Sequence, residues 1–428
     1  MTIGYRMRHD ESTNREVGRT VIATQLGQQP ADLTDVRATN LAVVLGYVRG
    51  HAPCSRADIA AATGLNKATV SSLVGELIGR RLLRETGQTE RRIGRPATMI
   101  VLDGSPYAAI GLSLGPDELH LLAVDLSGQQ LLSWHRAVRG GAPSSVLAAV
   151  AAQVKRAQTR VHDEGRTVLG VTVGLPGLVD AAGAVRVAAN LGWRDVAVRD
   201  MLRRTLGDPA YPVVVENDAN LAVLAERRYG PYAGVQNLVY LTGGPGIAAG
   251  IIAGGQLIRG GLGYAGEIGH VPVDPAGPEC ACGRRGCLDA CASVGALLRR
   301  LGRSPGDDRS PGDDLAPEVD DVIRRARTQE PAVLAALRDV GRHLGHAASL
   351  LANILNPEVV ILGGYYVQLA PWLLPAAQAE LADRALAPDT GGLRLVASAL
   401  GTDAAAAGAA AHVLDSVDTG QLPLAASS

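Results

Sequence analysis

Residues 55–78 read SRADIAAATGLNKATVSSLVGELI, two helical stretches parted by a glycine. Ser55 stands as an N-cap with Asp58 three residues on, a shorter acid where a capping box carries Glu. Gly64 breaks this helix and Asn66 caps the next, in which Val70, Leu73 and Leu77 recur at helical spacing as a buried stripe. Upstream, VRATNLAVVLGYVRGH (36–51) predicts another helix, stopped at Gly50 and Pro53. Downstream, LLRETGQ (82–88) and ATMIVLD (97–103) read as strands on either side of the arginine-rich TERRIGRP. Three helices and a two-stranded wing make residues 31–105 a winged helix-turn-helix.

In that motif the second helix enters the major groove and offers its N-terminal side chains to base edges. The exposed face here carries Asn66, Lys67, Thr69, Ser71 and Ser72, the candidate DNA-binding residues, and Arg56 at the start of the preceding helix is placed to touch phosphate. Between Asn66 and Pro96 seven basic residues face three acidic ones, so positive charge gathers where phosphates would lie in a chain of net charge −1. RRIGRP is an extended second contact, with Arg91, Arg92 and Arg95 directed to the minor groove. A solvated charged loop is the alternative, and the position of the segment on a wing counts against it.

The first 30 residues are polar and read as a flexible tail. No segment has the build of a signal peptide or the roughly 18 uninterrupted apolar residues of a spanning helix, so the expectation is a soluble cytoplasmic protein without a membrane partner. With no Phe and 3% aromatic residues, the interior must be filled by Leu, Val, Ile and Ala. After Pro106 the texture is α/β. YAAIGLSLG (107–115), ELHLLAVDLSGQQLL (118–132) and TVLGVTVGLPGLVD (167–180) read as strands, and SSVLAAVAAQVKRAQTRV (144–161) as a helix. YPVVVENDANLAVLAERRYG (211–230) is a strand running into a helix. NLVYLTGG (237–244), GIAAGIIAGGQLI (246–258) and EVVILGG (358–364) repeat the strand theme, with helices over 294–301 and 330–355. The succession predicts two similar α/β lobes, 106–232 and 233–428. SPGDDRSPGDD (304–314) is a solvated loop with no assigned role.

Four of the five cysteines lie between 280 and 291, following GHVP at 269–272. His270, Cys280, Cys282 and Cys287 supply the four ligands of a closed, structural tetrahedral Zn2+ site, with Gly283 and Gly286 permitting the turns of a zinc loop at 266–291. A disulfide reading leaves GHVP unexplained and a cytoplasmic protein oxidised. Cys291, one helical turn past Cys287, reads as core.

The motifs together resemble the ROK family, whose name joins repressors, open reading frames and sugar kinases. The resemblance covers about residues 35 to 415. It rests on the helix-turn-helix stretch and GRPA (94–97), GLPGLVD (174–180), NLGW (190–193), ENDAN (216–220), GYAGEIGH (263–270), the cysteine cluster and NPEVVILGG (356–364). It implies a two-lobed actin-like (RNase H-like) body with a sugar cleft between the lobes. By that likeness Asp218 matches the base that family kinases use on the sugar hydroxyl, and Asn217 a sugar-hydroxyl ligand. Helix capping is the alternative for this Asn-Asp pair. Glu267 and His270 match further sugar contacts, Asn190 is a weaker candidate, and Asp289 stands in GCLD where the family often has Glu.

Family kinases place an Asp-x-Gly-Gly-Thr-like phosphate loop at the first strand. Here Ser113 aligns with that Asp, and Pro116 follows Gly115. A second loop like GTGIGGG reads GPGIAAG (244–250). Pro245 removes a backbone donor, and Ala248 and Ala249 add methyl groups where backbone would approach phosphate. Tyr365 and Tyr366, just after the GG of NPEVVILGG, are placed to fill the vacant nucleotide pocket. The expectation is therefore no enzyme, with Asp218 a vestigial base. It is a sugar-responsive transcriptional regulator, a repressor of carbohydrate uptake or catabolism genes, that binds double-stranded operator DNA and a small-molecule sugar as a homodimer or homotetramer. The alternative is an ATP-dependent sugar kinase with a DNA-binding head.

Overall fold

The computed structural model describes residues 33–90, 97–115, 118–138, 141–302, 315–386 and 392–419. The tail 1–30, Pro116, the loop 304–314 and the wing arginines Arg91, Arg92 and Arg95 lie outside them. The head consists of α1 (Leu33–His51), β1 (Cys54–Ser55), α2 (Arg56–Thr63), α3 (Lys67–Gly79), β2 (Leu83–Glu90) and β3 (Ala97–Leu102). Ser55 Oγ accepts the Asp58 N–H at 3.2 Å while Asp58 Oδ2 accepts the Ser55 N–H at 3.0 Å, so the shorter acid completes the capping box. Asn66 Oδ1 accepts the Thr69 N–H at 2.8 Å and starts α3. The two-residue β1, which pairs with β3, is absent from the sequence reading. It is too short to leave a periodic signal.

The first lobe runs β4 (Tyr107–Leu114), β5 (Glu118–Asp125), β6 (Gln130–Ala137), α4 (Pro143–Asp163), β7 (Thr167–Leu175), β8 (Leu178–Val179), β9 (Val185–Ala188), β10 (Trp193–Val196), α5 (Val198–Leu206), β11 (Val213–Asn217) and α6 (Asp218–Tyr229). The second runs β12 (Leu238–Gly243), β13 (Ile247–Ala253), β14 (Gln256–Leu257), α7 (Leu288–Ala292), α8 (Val294–Arg300), α9 (Ala316–Arg327), α10 (Pro331–Leu355), β15 (Val359–Gly364), α11 (Tyr366–Arg384), β16 (Arg394–Ala397) and α12 (Ala404–Asp418). The main sheets have orders β6-β5-β4-β7-β11 and β14-β13-β12-β15-β16. In each, three antiparallel strands are followed by two added in parallel, so the second lobe repeats the topology of the first.

One boundary differs from the sequence reading, which draws the second lobe through 428. Helix α12 leaves the second lobe and packs on α6, β4 and β7 of the first. The two helices form a middle layer between the sheets, and their residues make it thin. A Cβ added at Gly408 would strike the Leu221 carbonyl, one at Gly111 the backbone of Ala410, and one at Gly250 the Ala219 carbonyl. The far end of α12 enters the head. Val413, Leu414 and Val417 share one buried cluster with Leu41, Val44, Leu45 and Val48 of α1 and with Leu122 and Val124 of β5. Arg49 of α1 donates to Asp418 at 2.8 Å and to the Leu126 carbonyl at 2.7 Å.

Candidate functional site

The cysteine loop folds on itself. Cys280 N–H donates to the Arg284 carbonyl at 2.7 Å and Gly283 N–H to the Cys280 carbonyl at 2.8 Å, with Gly283 and Gly286 at φ of 85° and 68°. Cys280 Sγ lies 3.8 Å from His270 Nδ1, and Cys282 Sγ lies 3.7 Å from Cys287 Sγ. All four ligand atoms fall within 4.8 Å of one another. The sulfurs are too far apart for a disulfide bond of about 2.05 Å. Ligands about 2.0–2.3 Å from a tetrahedral ion stand about 3.3–3.8 Å apart, and both of these separations, 3.8 and 3.7 Å, lie at the sulfur end of that range. The group can hold a metal ion. Burial pushes the Cys287 thiol up to about 12 and raises Cys280, whereas the Arg284 backbone N–H lowers Cys282. Cys291 is wholly buried in the core of the second lobe.

Beside this loop runs the interlobe cleft. Asn217 ends β11 and caps α6: its Oδ1 accepts the N–H groups of Ala219 at 2.9 Å and Asn220 at 3.1 Å, and its Nδ2 donates to the Gly177 carbonyl at 3.0 Å. The capping alternative thus describes this side chain, whose oxygen is engaged by backbone. Asp218, the first residue of α6, faces the cavity, and burial pushes its carboxyl up to about 6. Glu267 is pushed up to about 7, first by burial and then by the negative charges of Asp289 and Asp218. Asp289 is raised by burial, opposed by the Ile247 N–H that it accepts at 2.6 Å and by His270 and Arg299. The fold thus gathers Asp218, Glu267, His270 and Asp289 at the junction of α6, the cysteine loop and β13. Asn190 lies half-buried in the one-turn helix Ala189–Leu191 and makes no hydrogen bond to the other five candidates among the described residues.

Deeper between the lobes lies a cavity of about 570 Å3. Ser113, Gly115, Gly243, Gly244 and Tyr365 form part of its wall. Gly244 N–H donates to the Gly246 carbonyl at 3.1 Å, and Ala249 N–H to the Gly266 carbonyl at 2.8 Å, so the 244–250 segment directs these donors into its own fold. Tyr365 borders the cavity, but Tyr366 does not. It is fully buried beneath Gly243, and its hydroxyl donates to the Ala292 carbonyl at 2.9 Å. A helical residue one position along points about 100° away, which corrects the expectation that both tyrosines fill the pocket.

In the head, Val70, Leu73, Val74 and Leu77 of α3 are buried. Asn66, Lys67, Ser71 and Ser72 are exposed and Thr69 is half-exposed on the opposite face. Arg56 pairs with Glu85 of β2 at 2.9 Å rather than standing free for phosphate. An ion pair this exposed contributes about 0–1 kcal/mol, little resistance to exchange for another anion.

A family model described as ROK family matches residues 109–416, most of the chain, and one described as MarR family matches residues 42–93. The chain belongs to the ROK family. The xylose repressor of Bacillus subtilis (strain 168) is 29% identical over 385 residues, covering 90% of this ROK chain and 97% of that protein. The crystal structure of a ROK family transcriptional regulator, a homolog of the E. coli MLC protein, has a TM-score of 0.76 at 26% identity and covers 90% of this chain and 98% of its own. The ROK family glucokinase from Streptomyces griseus, solved with glucose and AMPPNP, has a TM-score of 0.59 at 30% identity, covering 71% of this chain and 98% of its own. That enzyme is matched almost end to end, so the extra length shared with the regulator lies outside its body.

Sequence reasoning about this ROK chain missed two groups. Glu216, 7% exposed, receives Arg259 Nε at 2.7 Å and Asn220 Nδ2 at 3.0 Å, an ion pair that links the lobes. His120, His135 and Asp403 also converge. Neither group has a sequence spacing to betray it. Among the described residues, no helix is long and apolar enough to cross a membrane.

Proposed function

We propose that this ROK protein is a sugar-responsive transcriptional repressor that holds double-stranded operator DNA through its head and is released by an unphosphorylated sugar in the interlobe cleft. The observation that carries this reading is the continuity of packing. The buried cluster of the head runs through α12 into β5 of the first lobe, so a change in lobe arrangement is felt at α3. A sugar shifts such an equilibrium only by its differential affinity for the two arrangements. Asp218, Glu267, His270 and Asp289 are the side chains we assign to its hydroxyls. Asn217 serves through its cap, and Asn190 is a peripheral contact. Asn66, Lys67, Thr69, Ser71 and Ser72, with Arg56, Arg91, Arg92 and Arg95, are assigned to DNA. The relatives named xylose repressor are matched along nearly their whole length, 97% of each, at 29% identity.

The His270–Cys280–Cys282–Cys287 group would hold a structural zinc ion. Its four ligands leave no open position, and it would fix the loop that carries Glu267 and Asp289 to the cleft. An altered nucleotide side supports a binding role over catalysis: Ser113 replaces a carboxylate, Pro245 lacks an N–H, and Gly244 donates within its own turn. A dimer or tetramer suits twofold operators, and sedimentation with and without DNA tests it. Fluorescence anisotropy on the chain's own promoter fragment with a panel of free sugars tests the main reading. Absence of specific DNA binding in every condition refutes it. Sugar-dependent ADP release at ordinary kinase rates favours the kinase alternative.

A further inference from the structure

We propose that His120, His135 and Asp403 form a second metal site, selective for borderline first-row divalent cations of the zinc class, inside the interlobe cavity. The site is assembled by register and topology. His120 on β5 is the direct cross-strand partner of His135 on β6, and the two imidazoles stack with centroids 4.0 Å apart and planes 11° from parallel. Asp403 arrives from the turn that opens α12. Its Oδ1 stands 3.2 Å from His120 Nδ1 and 3.6 Å from His135 Nε2. Two ligands about 2.05 Å from one ion, at the tetrahedral angle, stand about 3.3 Å apart, so these separations fit a shared ion. Glu118, two residues before His120 and thus on the same strand face, lies 3.3 Å from His135 Nδ1 and supplies an outer carboxylate.

An independent observation points to a ligand at this place. His120 is 8% exposed, yet its Nδ1 has no hydrogen-bond partner: Asp403 is near it but not aligned to accept. The other nitrogen, Nε2, is 3.1 Å from Ser133 Oγ. With Nε2–H donating to Ser133 Oγ, the ring presents its Nδ1 toward Asp403 as a directed lone pair, the usual way an outer partner fixes a metal-binding imidazole. Two imidazoles with one carboxylate suit Zn2+ and its first-row neighbours and are poor ligands for Mg2+ or Ca2+. The carboxylates of Asp403 and Glu118 make the group unsuited to a bare anion. An ion here would tie the β5–β6 hairpin to the start of α12. The other end of that helix holds Arg49 of the head through Asp418.

The test is equilibrium dialysis of the untagged full-length chain against a low, buffered concentration of free Zn2+, with metal counted per chain. Wild type should retain about two equivalents, one in the cysteine loop and one here. His135→Ala and Asp403→Asn both alter exposed side chains and should each retain about one, with the affinity of this site weakened at least tenfold. Cys282→Ser, also at an exposed position, should lose the other equivalent and leave the one at His120. Co2+ loading separates the two by spectrum, since only the cysteine loop gives sulfur-to-cobalt charge transfer. A single equivalent in wild type, abolished by Cys282→Ser, would overturn the proposal. So would a second equivalent that persists in both His135→Ala and Asp403→Asn.

Discussion

The two sides of the interlobe cleft are built from opposite materials. On one side Asp218, Glu267 and Asp289 crowd carboxylates into a poorly solvated corner braced by the cysteine loop, and burial raises all three. On the other, the strand ends and the glycine loop carry Ser113, Tyr365 and a histidine pair. Grouped, desolvated acids are costly unless something engages them, whereas the described residues that line the other side include no lysine or arginine to position phosphates. The contrast supports the proposed reading of a cleft that binds a polyol rather than one that transfers phosphate.

The largest effect that sharpens this contrast is expected at the cysteine loop. Cys287→Ser should remove the metal and, with free zinc about a thousandfold above its Kd, about 4 kcal/mol of stability, read by thermal unfolding with and without chelator. Equal melting of the two proteins would detach the loop from the stability of the sugar side. Next comes Asp218→Asn. Loss of a charged hydrogen-bond acceptor should weaken sugar binding by about 1.5–3 kcal/mol in calorimetry, while sugar-free DNA affinity stays unchanged. If DNA affinity fell instead, Asp218 would be a structural residue of α6.

A pH titration follows. The folded carboxyls of Asp218 and Glu267, at about 6 and 7, lie above their unfolded values. The native chain therefore binds more protons than the unfolded one in between. Their stabilising contribution is complete below pH about 4 and is lost as pH rises through 6 and 7. Sugar affinity should run the other way, falling below pH 7 as the acceptors protonate. Glu267→Gln should flatten both profiles, and unchanged profiles would remove Glu267 from the site. The smallest effect is at α3. Lys67→Ala should weaken DNA binding about equally for all sequences and reduce the salt slope by about 1, as a phosphate contact does. A change confined to one base position would reassign Lys67 to base readout.

What was legible in the sequence follows from distance along the chain. The capping box at Ser55 and Asp58, the α3 stripe and the cysteine ligands are each contained in a few turns of chain, so spacing alone predicts them. ELHLLAVDLSGQQLL reads as one strand because Leu131 and Leu132 continue its apolar texture, yet it turns at 126–129 into the β5–β6 hairpin. That turn is what brings His135 to His120. Helix α11 hides behind its internal Pro371 and Pro375, and α12 behind a run of alanines that forms no apolar stripe. Since α12 is the piece that joins cleft to head, the sequence exposes both functional regions while concealing their connection. Glu216 and Arg259 share that fate, because they meet only when the lobes do.

The most direct test of the whole account is the anisotropy of a labelled promoter fragment bound to the full-length chain, titrated with a free sugar that calorimetry shows to bind. Coupling of the kind argued here predicts a DNA affinity lowered by about 5- to 150-fold at saturating sugar, and a response lost in Asp218→Asn. A DNA affinity that stays constant while the cleft fills with sugar would contradict it.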